Sequence, residues 1–132
     1  MFKTLDIKTS HRVELIDVTA KVNSLIYESG IKDGICCLFV PHTTAGVTIN
    51  ENADPSVKVD IAYKLNSLIP ANNHYTHVEG NADSHIKSTV VGQSINLIID
   101  GGIAVLGTWQ GIFFCEFDGP RSRKLYVKLI KT

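Results

Sequence analysis

The chain lacks a surplus of charge of either sign. Its 132 residues contain 13 Lys plus Arg and 13 Asp plus Glu, so the formal net charge at pH 7 is zero. Nucleic acids and anionic membranes attract proteins at long range through positive charge, and no such attraction is expected here. A local anion site is expected only near the end of the sequence, where no acidic residue follows Asp118. The cations there are Arg121, Arg123, Lys124, Lys128 and Lys131.

Cysteine is scarce and long apolar runs are absent. Cys36, Cys37 and Cys115 lie in apolar stretches, and three cysteines cannot all pair, so we expect buried free thiols. No run approaches the roughly 20 apolar residues that a membrane helix needs. The first ten residues, MFKTLDIKTS, contain no apolar segment preceded by positive charge. These absences predict a cytoplasmic protein without a membrane partner.

What is present is an ordinary globular composition, with 44% hydrophobic and 20% charged residues. The length suits one core, since domains typically hold roughly 100 to 150 residues. We therefore expect a single domain spanning residues 1–132.

Hydrophobic periodicity predicts an α+β fold. One helix should follow the cap Asp17 and end at Gly30, and a second should run from the cap Asp54 and Pro55 to Pro70. Alternating apolar positions predict strands in residues 2–16 and in GICCLFVP, AGVTIN, SINLIID, IAVLG, GIFFCEFD and KLYVKLI. From residue 94 onward, short turns between adjacent strands imply antiparallel pairing. We expect two layers, a mostly antiparallel sheet covered by two amphipathic helices, with a short third helix in DSHIKSTVVG.

The segment VPHTTAGVTINEN is the first candidate for a site. His42 follows a strand that Pro41 ends, and Thr43 and Thr44 add two hydroxyl groups. Asn50 and Glu51 end the next strand with polar side chains, which could contact a substrate.

The segment HVEGNADSHIKS is the second candidate. His77 and His85 are eight residues apart, so they cannot share a helix face as the histidines of an HExxH zinc motif do. They could still converge if His77 ends a loop and His85 lies in the first helical turn. With His42 as a third ligand they would bind a divalent metal such as zinc and leave a coordination position open. The spacing of His77 and His85 alone is only a weak indication of a metal site.

The segment GTWQGIFFCEFDGPRSR is the third candidate. Period-two counting places Gln110 and Glu116 on one face of a strand and apolar side chains on the other. Glu116 is therefore either a site residue or an exposed strand carboxylate. Arg121 follows a Gly-Pro turn and suits phosphate through bidentate hydrogen bonds, although a solvated turn arginine is the alternative.

These three segments, in this order and at these distances, resemble the YjbQ family, named the secondary thiamine-phosphate synthase enzymes. The resemblance covers essentially the whole chain. It implies a compact α+β fold, a homotrimer and thiamine phosphate synthesis. In that reaction a thiazole phosphate attacks the methylene group of a pyrimidine that carries a diphosphate leaving group.

The resemblance and the residue chemistry together predict three groups of site residues. The predicted metal ligands are His42, His77 and His85. The predicted substrate-binding residues are Thr43, Thr44, Asn50, Asn81, Ser88, Gln110 and Arg121. The predicted catalytic residues are Glu51, Glu116 and Arg121, with the metal and Arg121 stabilising the departing diphosphate.

Two other functions fit the same residues. A metal-dependent phosphoester hydrolase would use a metal-bound water, and a non-catalytic trimer would only bind a phosphorylated metabolite. Nucleic-acid binding has little support, because the basic end lacks interleaved aromatic residues.

Overall fold

A computed structural model describes residues 1–132, and its architecture is α+β, as predicted. Three α-helices accompany eight β-strands. The helices are α1 (Thr19–Ser29), α2 (Pro55–Leu68) and α3 (Ala82–Val91). The strands are β1 (Phe2–Lys8), β2 (Glu14–Asp17), β3 (Gly34–Phe39), β4 (Ala45–Glu51), β5 (Ser94–Asp100), β6 (Ile103–Ala104), β7 (Gln110–Glu116) and β8 (Ser122–Lys131).

The strands form two antiparallel sheets where the sequence predicted one. The large sheet has the order β1-β8-β3-β5-β6 and the small sheet the order β2-β7-β4. Strands β7 and β8 follow each other across a short turn but belong to different sheets, so the expected pairing is wrong for them. Strands β3 and β4 also belong to different sheets. Stacking two sheets buries an apolar face of each, which a single sheet of successive hairpins would not do.

One predicted hairpin is present. Strands β5 and β6 pair across Gly101 and Gly102, whose φ angles are 62° and 84°. A tight turn of this kind needs positive φ at both central residues, which glycine adopts without steric cost.

Strand β7 is buried on both of its faces, which corrects the expectation of one apolar and one polar face. Ile112 and Phe114 belong to the main core of 17 buried residues, to which both sheets and α1 contribute. Phe113 belongs to a second cluster, which includes Leu65 of α2 and Val91 of α3 on its margin. The small sheet is thus packed against the large sheet on one side and against helices on the other.

Asp54 and Gly30 mark helix ends as predicted, but Asp17 does not cap α1, which begins after Val18 without a side-chain cap. Asp54 accepts a hydrogen bond from the Ser56 N–H at 2.9 Å, and Gly30 ends α1 with φ of 74°. Helix α3 begins after Asn81 without a side-chain cap, whereas Asp83 or Ser84 was expected to provide one. Both of those side chains bond elsewhere.

None of the three helices has the length and apolar character that crossing a bilayer requires.

The cysteines are free thiols, as expected, but Cys37 is only partly buried. Cys36 and Cys115 are buried, and burial raises the pKa of each thiol to about 12. Because a thiol with such a pKa is protonated at neutral pH, neither is an activated nucleophile.

Candidate functional site

A polar cleft of about 400 Å³ lies where the β3–β4 loop, the start of α3 and the β7–β8 loop meet. No hydrophobic residue lines it. We call it the polar cleft, and its lining residues are Pro41, His42, Thr43, Thr44, Glu79, Asn81, His85, Asp118, Arg121 and Arg123. Six predicted site residues, drawn from all three sequence segments, therefore meet here.

His42 is held in one orientation by the backbone of β8. The Lys124 N–H donates to its Nε2 atom at 2.9 Å, so a neutral ring carries its proton on Nδ1. Burial and the nearby Arg123 guanidinium lower the pKa of His42 below its usual value of 6.5. His42 is consequently neutral at pH 7 and can donate from Nδ1.

A buried ion pair supports the cleft from behind. Glu116 is fully buried, and both of its carboxylate oxygens accept hydrogen bonds from Arg123. The Thr9 hydroxyl and the Asp118 N–H donate to the same carboxylate at 2.8 and 3.1 Å. Burial opposes ionisation, but these hydrogen bonds outweigh it, so the pKa of Glu116 lies below its usual range.

This ion pair changes the interpretation of Glu116. Its carboxylate does not line the cleft, although it was predicted to be catalytic. It orients Arg123, which in turn donates to the Thr44 hydroxyl at 2.8 Å. Glu116 therefore positions cleft residues instead of contacting a ligand.

Arg121 lies at the rim of the polar cleft. Its Nε donates to the Asp118 carbonyl at 2.7 Å and its Nη2 to the Asp118 carboxylate at 3.0 Å. A guanidinium has five N–H groups, so three remain for a ligand. Asn81 donates to the same carboxylate at 2.9 Å, and its side-chain oxygen is buried without a hydrogen-bond partner. That oxygen is an acceptor to which a ligand could donate.

The three predicted metal ligands do not form one centre. The His77 and His85 rings lie edge to face with centroids 5.2 Å apart. His77 lines a neighbouring hollow, whereas His42 and His85 line the polar cleft. Nowhere do three or more His, Cys, Asp or Glu side chains form a group that could hold a metal ion. The donors present thus do not fit the expected three-histidine site.

Besides His77 and Glu116, four predicted site residues lie outside the cleft. Asn50, Glu51 and Gln110 line a separate depression beside Trp109. In the register of β4 and β7, Ala45 pairs with Glu116 and Glu51 with Gln110. Six residues of strand separate these pairs, a distance of about 20 Å.

Ser88 is the fourth of these residues. It is buried, donates to the Ala45 carbonyl at 2.6 Å and accepts from Gln93 at 2.8 Å. Its hydroxyl therefore ties α3 to β4 and does not bind substrate in this arrangement.

The sequence motifs did not reveal a second buried ionic cluster beneath α3. Asp83 accepts two hydrogen bonds from Arg12, at 2.9 and 3.1 Å, and one from Lys87 at 2.8 Å. Lys87 also donates to Asn66 of α2 at 2.7 Å. Although burial opposes ionisation, these partners lower the pKa of Asp83 to about 2. Only the i, i+4 spacing of Asp83 and Lys87 could have signalled it.

The fold and the cleft define a class of protein: an α+β protein of two stacked antiparallel sheets with a small polar cleft at one end of the smaller sheet. The family model described as "UPF0047 protein YjbQ-like" matches residues 3–132. The chain therefore belongs to the YjbQ/UPF0047 family, which confirms the family resemblance.

Relatives and solved structures agree with that assignment. The UPF0047 protein MJ1081 of Methanocaldococcus jannaschii is 62% identical over 94% of this chain and 90% of its own length. The UPF0047 protein YugU of Bacillus subtilis is 50% identical over 98% of this chain and 99% of its own. A crystal structure of a YjbQ/UPF0047 protein from Clostridium acetobutylicum matches with a TM-score of 0.95 and 51% identity, covering 97% of this chain and 99% of that one. None of these names states a biochemical activity.

Proposed function

We propose that the polar cleft binds a small phosphorylated substrate and that the protein is a thiamine-phosphate synthase-type transferase, with this reaction as its main or a secondary activity. The observation that carries the proposal is the convergence of hydrogen-bond donors on a cleft without hydrophobic lining. Phosphate and diphosphate groups have many acceptor oxygens and need such donors.

The donors come from two loops, β3–β4 and β7–β8. Arg121 offers three N–H groups, His42 offers Nδ1–H, and the Thr43 and Thr44 hydroxyls line the same cleft. A guanidinium can hold two phosphate oxygens at once, which fixes orientation as well as affinity. These groups support a phosphate-binding role for the polar cleft.

The proposed reaction needs stabilisation of the leaving group more than a strong base. The thiazole nitrogen forms a bond to the methylene carbon of the pyrimidine, and the bond from that carbon to the diphosphate oxygen breaks. Its electron pair leaves with the diphosphate, whose negative charge therefore grows in the transition state. Arg121 and the cleft hydroxyls would stabilise that charge by preorganised hydrogen bonds.

The divalent metal ion, zinc among the candidates, remains a prediction from the sequence alone. Because the donors do not assemble around one point, the mechanism above gives a metal ion no role. Metal analysis of protein purified without chelator tests this separately. Stoichiometric metal that is lost on His85→Ala would restore the three-histidine centre.

The homotrimer is likewise a proposal. Its support is an apolar surface on the large sheet, where Ile35 pairs in register with Ile98 on one side and Ile130 on the other, and all three are exposed. Subunit contact would remove such a row from water. Light scattering during gel filtration measures the subunit number directly.

A synthase assay tests the function. Purified protein is given the thiazole phosphate and the pyrimidine diphosphate, and formation of thiamine phosphate is measured. We expect product that decreases at least tenfold in Arg121→Ala, which loses the main charged donor, and is unchanged in His74→Ala, because His74 is exposed outside the polar cleft.

Other results would contradict the synthase. Release of inorganic phosphate without an acceptor would indicate the hydrolase. Thermal stabilisation by the substrates without any turnover would indicate a phosphometabolite-binding protein.

A further inference from the structure

Next to the polar cleft lies a hollow of different chemistry. It measures about 390 Å³, and we call it the apolar hollow, lined by Tyr75, Thr76, His77, Ala82, His85 and Ile86. His85 lines both spaces, so the two adjoin at this residue. A single ligand could therefore extend from one into the other past the His85 ring.

Little polar surface lines the apolar hollow. The Tyr75 hydroxyl donates to the Pro70 carbonyl at 2.6 Å. The His77 Nε2 atom lies 3.8 Å from a Glu79 carboxylate oxygen. The hollow itself contains no carboxylate, ammonium or guanidinium group. It thus presents ring faces and aliphatic carbon, which suit an uncharged group.

The spacing of three residues in α3 explains why their side chains line the same hollow. Ala82, His85 and Ile86 are i, i+3 and i+4 in the first turns of α3, so they share one helix face. Small Ala82 leaves space beside the larger Ile86. His77 closes the other side, edge to face with His85. The walls therefore include aromatic rings against which a flat ring can pack.

We propose that the apolar hollow binds an uncharged aromatic ring of the same substrate whose phosphate group lies in the polar cleft. This inference rests on the proposed phosphate-binding function. It adds that the protein selects its substrate by the organic group attached to the phosphate. A closed apolar cavity of about 150 Å³ accepts benzene, so this hollow has room for a substituted ring. The hollow selects aromatic phosphates over aliphatic phosphates of equal charge.

Two simple phosphate esters test the proposal. Dissociation constants of phenyl phosphate and methyl phosphate are measured by calorimetry with the wild-type protein and with Ile86→Gln, Val90→Gln and Arg121→Ala. Ile86 lines the hollow, whereas Val90 lies one turn further along α3, is 63% exposed and lines neither space. Both positions tolerate glutamine in a helix, so Val90→Gln is the matched control.

We expect phenyl phosphate to bind about tenfold more tightly than methyl phosphate to the wild type, because the ring loses contact with water. Ile86→Gln should abolish most of that preference without changing methyl phosphate affinity, and Val90→Gln should change neither. Arg121→Ala should weaken both esters.

The outcomes separate the two proposals. Equal affinities of the two esters, both dependent on Arg121, would overturn the ring subsite and leave the phosphate site intact. A preference for phenyl phosphate that Val90→Gln reduces as much as Ile86→Gln would also overturn it. No binding of either ester to the wild type, or binding insensitive to Arg121→Ala, would overturn the proposed function and this inference with it.

Discussion

The two ends of the small sheet carry similar polar side chains but use them differently. At the cleft end, Glu116 is fully buried and paired with Arg123. At the far end, Glu51 and Gln110 are accessible and bond only to nearby backbone, at Ala53 and Gly107. The cleft end is covered by loops and α3, whereas the far end opens to solvent.

This difference shows that burial, not residue type, decides what a polar side chain contributes. A buried carboxylate must be paired, and its partner becomes fixed in position. An accessible carboxylate is solvated and constrains little. The predictions below compare the two ends, beginning with the largest expected effect.

Removing one buried charge should have the largest effect. Glu116→Gln leaves Arg123 buried without its anionic partner, and we expect the free energy of unfolding to fall by about 3 to 5 kcal/mol. The matched change Glu51→Gln at the far end should alter it by less than about 0.5 kcal/mol. Urea denaturation of both variants measures this. Equal losses would contradict the contrast between the ends.

Acid should weaken the cleft end through Asp83. Its pKa is lowered from 3.8 in the unfolded chain to about 2 in the fold, so its stabilisation is present above pH 3.8 and is lost as the pH falls towards 2. The loss amounts to about 2 kcal/mol. Denaturation at pH 5 and at pH 2 measures it.

Asp83→Asn provides the control for that acid effect. The variant should be less stable than the wild type at pH 5, because Arg12 and Lys87 lose their anionic partner. Its stability should depend less on pH between 5 and 2. An unchanged pH dependence would show that other carboxylates cause the acid loss.

Ligand affinity should also distinguish the two ends. Arg121→Ala should weaken phosphate-ester binding at least about tenfold, since a hydrogen bond to a charged group contributes about 1.5 to 3 kcal/mol. Gln110→Ala, about 20 Å away, should change affinity less than about twofold. Calorimetry compares them. A large effect of Gln110→Ala would mean that the far end of one copy acts on the cleft of another.

The smallest expected effect is the titration of His42. Burial and Arg123 lower its pKa, so its NMR titration midpoint should lie below 6.5. Replacing Arg123 removes one of these causes and should raise the midpoint, provided that the variant folds. A wild-type midpoint above 6.5 would contradict the neutral, donating His42 of the proposed mechanism.

Local patterns were sufficient for the fold class and for most helix ends. The caps Asp54 and Gly30 could be identified from neighbouring residues, because capping hydrogen bonds join positions close in sequence. Six of the predicted site residues line the polar cleft, since each lies at the end of a strand or at the start of a helix. The family resemblance, also confirmed, came from the same motifs.

Only the tertiary structure shows which strands pair with each other. A period of two tells which side chains share a face but not which strand lies alongside, and here β3 and β4 enter different sheets. The length of β4 and β7 separates Glu51 and Gln110 from the polar cleft. The tertiary fold joins Arg12 to Asp83 across 71 positions and Thr44 to Arg123 across 79. Contacts between such distant residues depend on the packing of the whole chain, which no local pattern contains.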